Sequence, residues 1–241
     1  MKKVLVILLT VMLFGTLSGC GEQKEQPKQS AAGSKESQAE SQTEIQTENQ
    51  VESQGENTGG MSAENSEGIP QESVALTGKH HVEITVKDYG TISVELDGDV
   101  APISTGNFVQ LASEGFYDGL TFHRIINGFM MQGGDPTGTG MGGSDTTIKG
   151  EFQLNGVDNT LSHTRGAISM ARAKAYDSAS SQFFIVHQDS TYLDGQYACF
   201  GYVTEGMDVV DEVCSNVPVV DKNGTVLAEN QPVIESVKVI D

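Results

Sequence analysis

Basic residues are scarce in this chain: 14 Lys and Arg stand against 33 Asp and Glu in 241 residues, a formal net charge of −19. No three Lys or Arg cluster anywhere. The basic face that phosphate neutralisation and counterion release require is therefore missing, which excludes nucleic acid as a partner. The same deficit disfavours electrostatic adhesion to an anionic lipid surface. Cysteine is nearly absent too, with three residues at 20, 199 and 214. These are too few and too scattered for a disulfide framework or a four-ligand zinc site, and Cys199 and Cys214 are expected as free thiols. His80, His81, His123, His163 and His187 form no H-x-x-x-H pair and no Cys/His cluster. No metal is expected on that pattern, and nothing calls for a cofactor. A hydrophobic content of 37% is low for a chain folded throughout, so part of it is expected to stand outside a core.

Long apolar runs are also missing; the longest is Val4–Leu17, behind Lys2 and Lys3. That is short of the roughly 20 residues a membrane span needs, and it reads as an export signal. The run ends at Leu17-Ser18-Gly19-Cys20, which resembles the lipobox of bacterial lipoproteins. The resemblance implies cleavage before Cys20, acylation of that residue, and an extracytoplasmic protein lipid-anchored to the bacterial cell membrane but not spanning it. Residues 21–78 carry eleven Glu, three Lys and no Asp, for a net −8, and almost no large apolar residue. Glu36, Glu40, Glu44, Glu48, Glu52 and Glu56 recur every four residues, but like charges at that spacing repel and no apolar face accompanies them. Such a segment is expected as a disordered spacer with an r.m.s. reach of about 40 Å.

Composition changes at residue 79, and the remaining −13 of charge belongs to an organised domain over 79–241. His81–Val86 and Thr91–Leu96 alternate apolar and polar across Asp88-Tyr89-Gly90, a hairpin pattern. Pro102 opens a helical segment with Phe108, Leu111 and Ala112 on one side, closed by Gly115. Strand-like runs follow at 121–126, 129–132, 167–170, 182–186, 200–203 and 233–240. A second short helix fits Met207–Cys214, where Val209, Val210 and Val213 share a face. About eight strands and two helices with Gly-rich turns predict a mainly β fold, either a sandwich or a closed barrel.

The densest stretch runs Phe122-His123-Arg124-Ile125-Ile126-Asn127-Gly128-Phe129-Met130-Met131-Gln132-Gly133-Gly134-Asp135. Period-2 alternation across its turn can bring Arg124, Phe129 or Met130, and Gln132 to one surface: a cation and a neutral amide beside an apolar patch. No nucleophile stands beside a base and no carboxylates pair, so the surface suits conformational chemistry on a neutral substrate. Gly166–Ala171, Ser181–Ile185, Leu193-Asp194-Gly195 and Phe200-Gly201 follow in order, and the whole resembles cyclophilin, the peptidyl-prolyl cis-trans isomerase.

That resemblance implies a closed eight-stranded antiparallel β-barrel capped by two short helices. It also implies an isomerase of X-Pro bonds, here acting on proline-containing segments of exported proteins. Nothing in the sequence gives reason to expect an oligomer, so a monomer is expected. The resemblance makes Arg124 the donor to the proline nitrogen and gives the proline pocket to Phe129, Met130, Phe184 and Leu193. Gln132 bonds the substrate backbone, Ala171-Arg172 borders the groove, and Gln182 supports the Arg124 side. Two departures stand out. Where well-known members have Trp before Leu-Asp-Gly, this chain has Tyr192, and it contains no Trp at all. Where they have His four residues after that Leu, it has Tyr197. Weaker cyclosporin binding is implied, with activity kept. Arg172 stands where the family often has a smaller polar residue, as a contact for acidic or phosphate-bearing segments or, the favoured reading, a solvated arginine. His123 is read as a packed strand residue. Gly138–Gly143 lacks the Lys-Ser/Thr of a phosphate loop and is read as a mobile surface loop beside the groove.

Overall fold

The computed structural model describes residues 74–241. The signal at 1–20 and the tether as far as residue 73 lie outside the described residues. β1 (Lys79–Val86) buries Val82, Ile84 and Val86, and β2 (Gly90–Asp97) buries Ile92, Val94 and Leu96, as alternation requires. Val82 faces Val94 and Ile84 faces Ile92 across the antiparallel register. The connecting turn is tight enough to hold Asp88 in the left-handed region, at φ 66°. α1 (Pro102–Ser113) starts on a proline, whose missing N–H costs nothing in a first turn. The chain at 74–76 crosses this helix, with Leu76 N donating to Pro102 O at 3.0 Å. A Cβ on Gly106 would lie 1.5 Å from the Val74 carbonyl oxygen, so only glycine allows the crossing.

β3 (Phe122–Ile126), β4 (Met130–Gly133), β5 (Ala167–Met170), β6 (Phe183–Val186) and β7 (Cys199–Glu205) follow. α2 (Met207–Asn216) and β8 (Ile234–Val239) complete the order. All the strands join one antiparallel sheet in the sequence β3-β4-β6-β5-β7-β2-β1-β8. α1 packs on β8 and β2, and α2 packs on β2 and β4. The sheet is an open half-barrel, which corrects the closed barrel expected from the resemblance. Its end strands β3 and β8 share no ladder; only the residues just before them, Thr121 and Val233, form an isolated bridge. Closure needs a matched tilt and stagger between the first and last strands, which a count of strands does not contain.

Alternation also sets two faces at the β3–β4–β6 end. Ile125, Met131, Phe183 and Ile185 enter the main core, where Phe183 meets Phe108 edge-on with ring centroids 5.2 Å apart. Met130, Phe184 and Val186, each one residue out of phase, form a second buried cluster with Leu193 and Cys199. Among the described residues no helix is long and apolar enough to cross a membrane.

Candidate active site

The second cluster is the apolar floor on which the polar groups are mounted. Arg124 and Gln132 are direct partners in the β3–β4 register. Arg124 Nη1 donates to Gln132 Oε1 at 3.2 Å, and Gln132 Nε2 donates to Gln182 Oε1 at 2.8 Å. Gln182 Nε2 in turn donates to the carbonyls of Gly140 and Gly142 at 3.1 and 2.7 Å. On its other side Arg124 Nε donates to the Asn223 carbonyl at 2.8 Å. Among the described residues Nη2 has no hydrogen-bond partner, so this clamped guanidinium keeps a donor in reserve. Burial lowers the pKa of Arg124, while Tyr197, Asp221 and Tyr192 raise it; a guanidinium remains charged regardless.

Arg124, Phe129, Met130, Gln132, Phe184, Leu193 and Tyr197 line one cavity of about 350 Å³, with Ala171 and Arg172 on its rim side. Phe184 is fixed between two rings: Tyr197 meets it edge-on at 5.9 Å and His163 stacks behind it at 6.0 Å and 16°. Tyr192 lies outside the cavity. The 3-10 turn Thr191–Leu193 turns Leu193 inward and leaves Tyr192 63% exposed, its ring 6.0 Å from that of Phe129. Gln182 lines not this cavity but the adjoining one of about 410 Å³, which shares Gln132, Ala171 and Arg172 with it, and it meets the site through its hydrogen bond with Gln132.

Behind Phe184 lies an arrangement resembling a nucleophilic triad: Asp194 Oδ1 at 2.8 Å from His163 Nδ1, and His163 Nε2 at 3.0 Å from Ser169 Oγ. Both Ser169 and His163 have no solvent exposure, so no substrate reaches the hydroxyl. Burial lowers the pKa of His163 and Asp194 raises it, the net being downward. The network positions the back of the pocket. Burial likewise pushes the Cys199 and Cys214 thiols up to about 12, which makes them inert. Among the described residues no three His, Cys, Asp or Glu gather as a metal site.

Residues 81–239 match the family model described as cyclophilin type peptidyl-prolyl cis-trans isomerase. The chain belongs to the cyclophilin family. It is 49% identical over 123 residues to peptidyl-prolyl cis-trans isomerase B of Bacillus subtilis, covering 51% of this chain and 82% of that protein. A Helicobacter pylori peptidyl-prolyl cis-trans isomerase is 48% identical over 126 residues, 52% of this chain and 74% of its own. Among solved structures, a Cryptosporidium parvum cyclophilin crystallised in the presence of the dipeptide Ala-Pro superposes with a TM-score of 0.59. It has 31% sequence identity to this chain, covering 67% of it and 99% of the Cryptosporidium chain. The enzyme is thus a cyclophilin-type peptidyl-prolyl cis-trans isomerase.

Three features of this cyclophilin's site escaped the sequence. Asn223 contributes through a backbone carbonyl, which any residue carries; the only readable signal was the turn composition of Asp221-Lys222-Asn223-Gly224. Asp221 caps that turn by accepting from Asn223 N, Thr225 N and Thr225 Oγ1. Second, Gly138–Gly143 is a surface loop beside the groove, as expected, but it is also held from below. Asp135 ties it down by accepting from Thr137 N at 2.8 Å, Thr139 N at 3.1 Å and Gly140 N at 2.6 Å. Burial raises the Asp135 pKa, but hydrogen bonds from Thr137, Gly142 and Gly140 hold it down at about 2. Third, His123 is packed in β3 as expected, yet it also lines the cavity, and neither ring nitrogen has a partner among the described residues.

Proposed function

We propose that this cyclophilin isomerises X-Pro bonds in exported polypeptides at the outer surface of a bacterial membrane, as a monomer tethered by lipid on Cys20. The chemistry rests on one observation: a guanidinium clamped at Nε and Nη1, with Nη2 unpartnered among the described residues, on a cavity of about 350 Å³ whose apolar wall is Phe129, Met130, Phe184 and Leu193. The X-Pro barrier of ~18–20 kcal/mol comes from amide resonance. As rotation proceeds, the proline nitrogen becomes pyramidal and its lone pair localises. A hydrogen bond from Arg124 to that nitrogen strengthens toward the transition state, so it lowers the barrier instead of merely holding substrate. Phe129, Met130, Phe184 and Leu193 take the pyrrolidine ring, Gln132 bonds the substrate backbone, and Ala171 borders the residues before proline. No proton is transferred, in keeping with a cavity that contains no base paired to a nucleophile.

The test is cis-trans exchange of an X-Pro tetrapeptide with the purified chain. Arg124→Ala should lower kcat/KM by about 10²-fold, the range for loss of one transition-state donor. Retention of wild-type kcat/KM would remove Arg124 from the mechanism. A holdase that uses the groove without turnover would keep its anti-aggregation activity in the same variant. Anchoring is tested separately: Cys20→Ala should shift the protein from the membrane to the soluble fraction, and a variant still fully membrane-bound would refute the lipid anchor.

A further inference from the structure

Arg172 looks like a free cation on the groove, yet most of its donors are already in use and three aromatic rings stand around it. Nε and Nη2 both donate to the Gln196 carbonyl, at 3.1 and 2.8 Å, and Nη1 donates to the Ala173 carbonyl at 3.0 Å. The guanidinium carbon lies 4.7 Å from the Tyr197 ring centroid, 5.0 Å from Phe152 and 5.2 Å from Tyr176. Phe152 and Tyr176 themselves meet edge-on at 5.4 Å. One planar cation therefore joins Phe152, 1% exposed in the main core, to Tyr197 of the pocket wall. It also grips the backbone immediately before Tyr197, through Gln196. Tyr197 in turn sets the edge-on contact against Phe184 at 5.9 Å.

We infer that Arg172 is a positioning residue, which holds the Tyr197 side of the proline pocket in shape and does not read the charge of the bound segment. The chemistry needs arginine: a delocalised plane for the rings and a fork of N–H groups around its edge for the carbonyls. Lysine has neither. The inference rests on the isomerase reading of the cavity, and it goes beyond that reading in assigning specificity. A guanidinium committed in this way offers no donor pair to a carboxylate or phosphate, so acidic residues before proline gain nothing from it.

The experiment compares wild type, Arg172→Gln, Arg172→Lys, Tyr197→Ala and the double variant Arg172→Gln/Tyr197→Ala. Substrates are three tetrapeptides that differ only in Ala, Glu or Lys before proline. Arg172→Gln and Arg172→Lys should each lower kcat/KM by about tenfold, equivalent to about 1.4 kcal/mol. The loss should appear mainly in KM, by the same factor for all three peptides, and without change on added salt. In the Tyr197→Ala background Arg172→Gln should cost little more, because a residue acting through another loses its effect when that other is gone. A selective loss on the Glu-Pro peptide, or full additivity in the double variant, would overturn the inference. The Tyr197 ring resonances provide an independent reading, since they should shift in Arg172→Gln even if no peptide were turned over. Unchanged resonances would count against the cage, whereas a wild type inactive on every peptide would count against the isomerase assignment alone.

Discussion

Tyr192 and Tyr197 stand five residues apart on one turn and serve the pocket in opposite ways. Tyr197 is half-buried, caught between Arg172 and Phe184, and its substitution reaches the pocket floor. Tyr192 touches only the rim, beside Phe129, and is free to change. Replacing it with the tryptophan found in better-known relatives adds an indole N–H and a wider apolar face at a position already exposed to an incoming ligand. Tyr192→Trp should therefore tighten cyclosporin binding about tenfold, the sum expected of one hydrogen bond and added aromatic area. Calorimetric titration of both proteins checks this. A Kd that does not move would show that the residue before Leu193 does not govern drug affinity in this enzyme.

At the scale of elements, the site exists because β4 and β6 alternate in phase. Met131 and Phe183 build the core while Met130 and Phe184 build the pocket. That much was legible: the hairpin, both helices and the strand runs are read from alternation and Pro/Gly punctuation, and the Arg124–Gln132 pairing from period 2 across a turn. The rest depended on information that side-chain type does not carry. Openness of the sheet is a matter of register between β3 and β8, Arg124 is clamped by a backbone carbonyl, and the glycine loop is ordered by one carboxylate several residues upstream. Asp135 is the most exposed of these dependencies to mutation. Through Gly140 and Gly142 its loop carries Gln182, then Gln132, then Arg124. Asp135→Ala leaves the backbone N–H groups of Thr137, Thr139 and Gly140 without their acceptor; they are only part-buried, so each costs about 1 kcal/mol, the low end for an orphaned donor. A drop in stability of about 3 kcal/mol is expected in urea unfolding. A fall in kcat/KM should accompany it at temperatures where the variant is still folded, and full activity in the folded variant would show that the relay does not depend on the loop.

For the molecule as a whole, the same burial that builds the site makes stability depend on pH. Burial lowers the pKa of His163, against the opposing charge of Asp194, and it lowers that of His123, against Asp135 and with Arg124. In the unfolded chain both titrate near the ordinary value of 6.5. Below that pH the unfolded state binds protons that the folded state refuses, so stability is fully present above pH 6.5 and is lost as pH falls toward the folded values. Each such imidazole removes about 1.4 kcal/mol per pH unit over that window. The depressed carboxylates act later, since Asp135 and Asp194 support the fold above 3.8 and lose that support only as pH falls through their folded values. A net charge of −19 complicates a raw comparison, because acidification also relieves self-repulsion. A difference between two proteins cancels that global contribution, and His123 is the residue to change. Its ring nitrogens have no partners among the described residues, so an apolar ring of similar shape removes a desolvated polar group without orphaning another. His123→Phe should be as stable as wild type or more so at pH 7.5. Its unfolding free energy should then fall less steeply than wild type between pH 6.5 and 5.5, by about 1 kcal/mol over that unit. Urea titrations followed by circular dichroism at the two pH values measure the quantity directly, and parallel pH slopes would mean that His123 is already protonated in the folded protein.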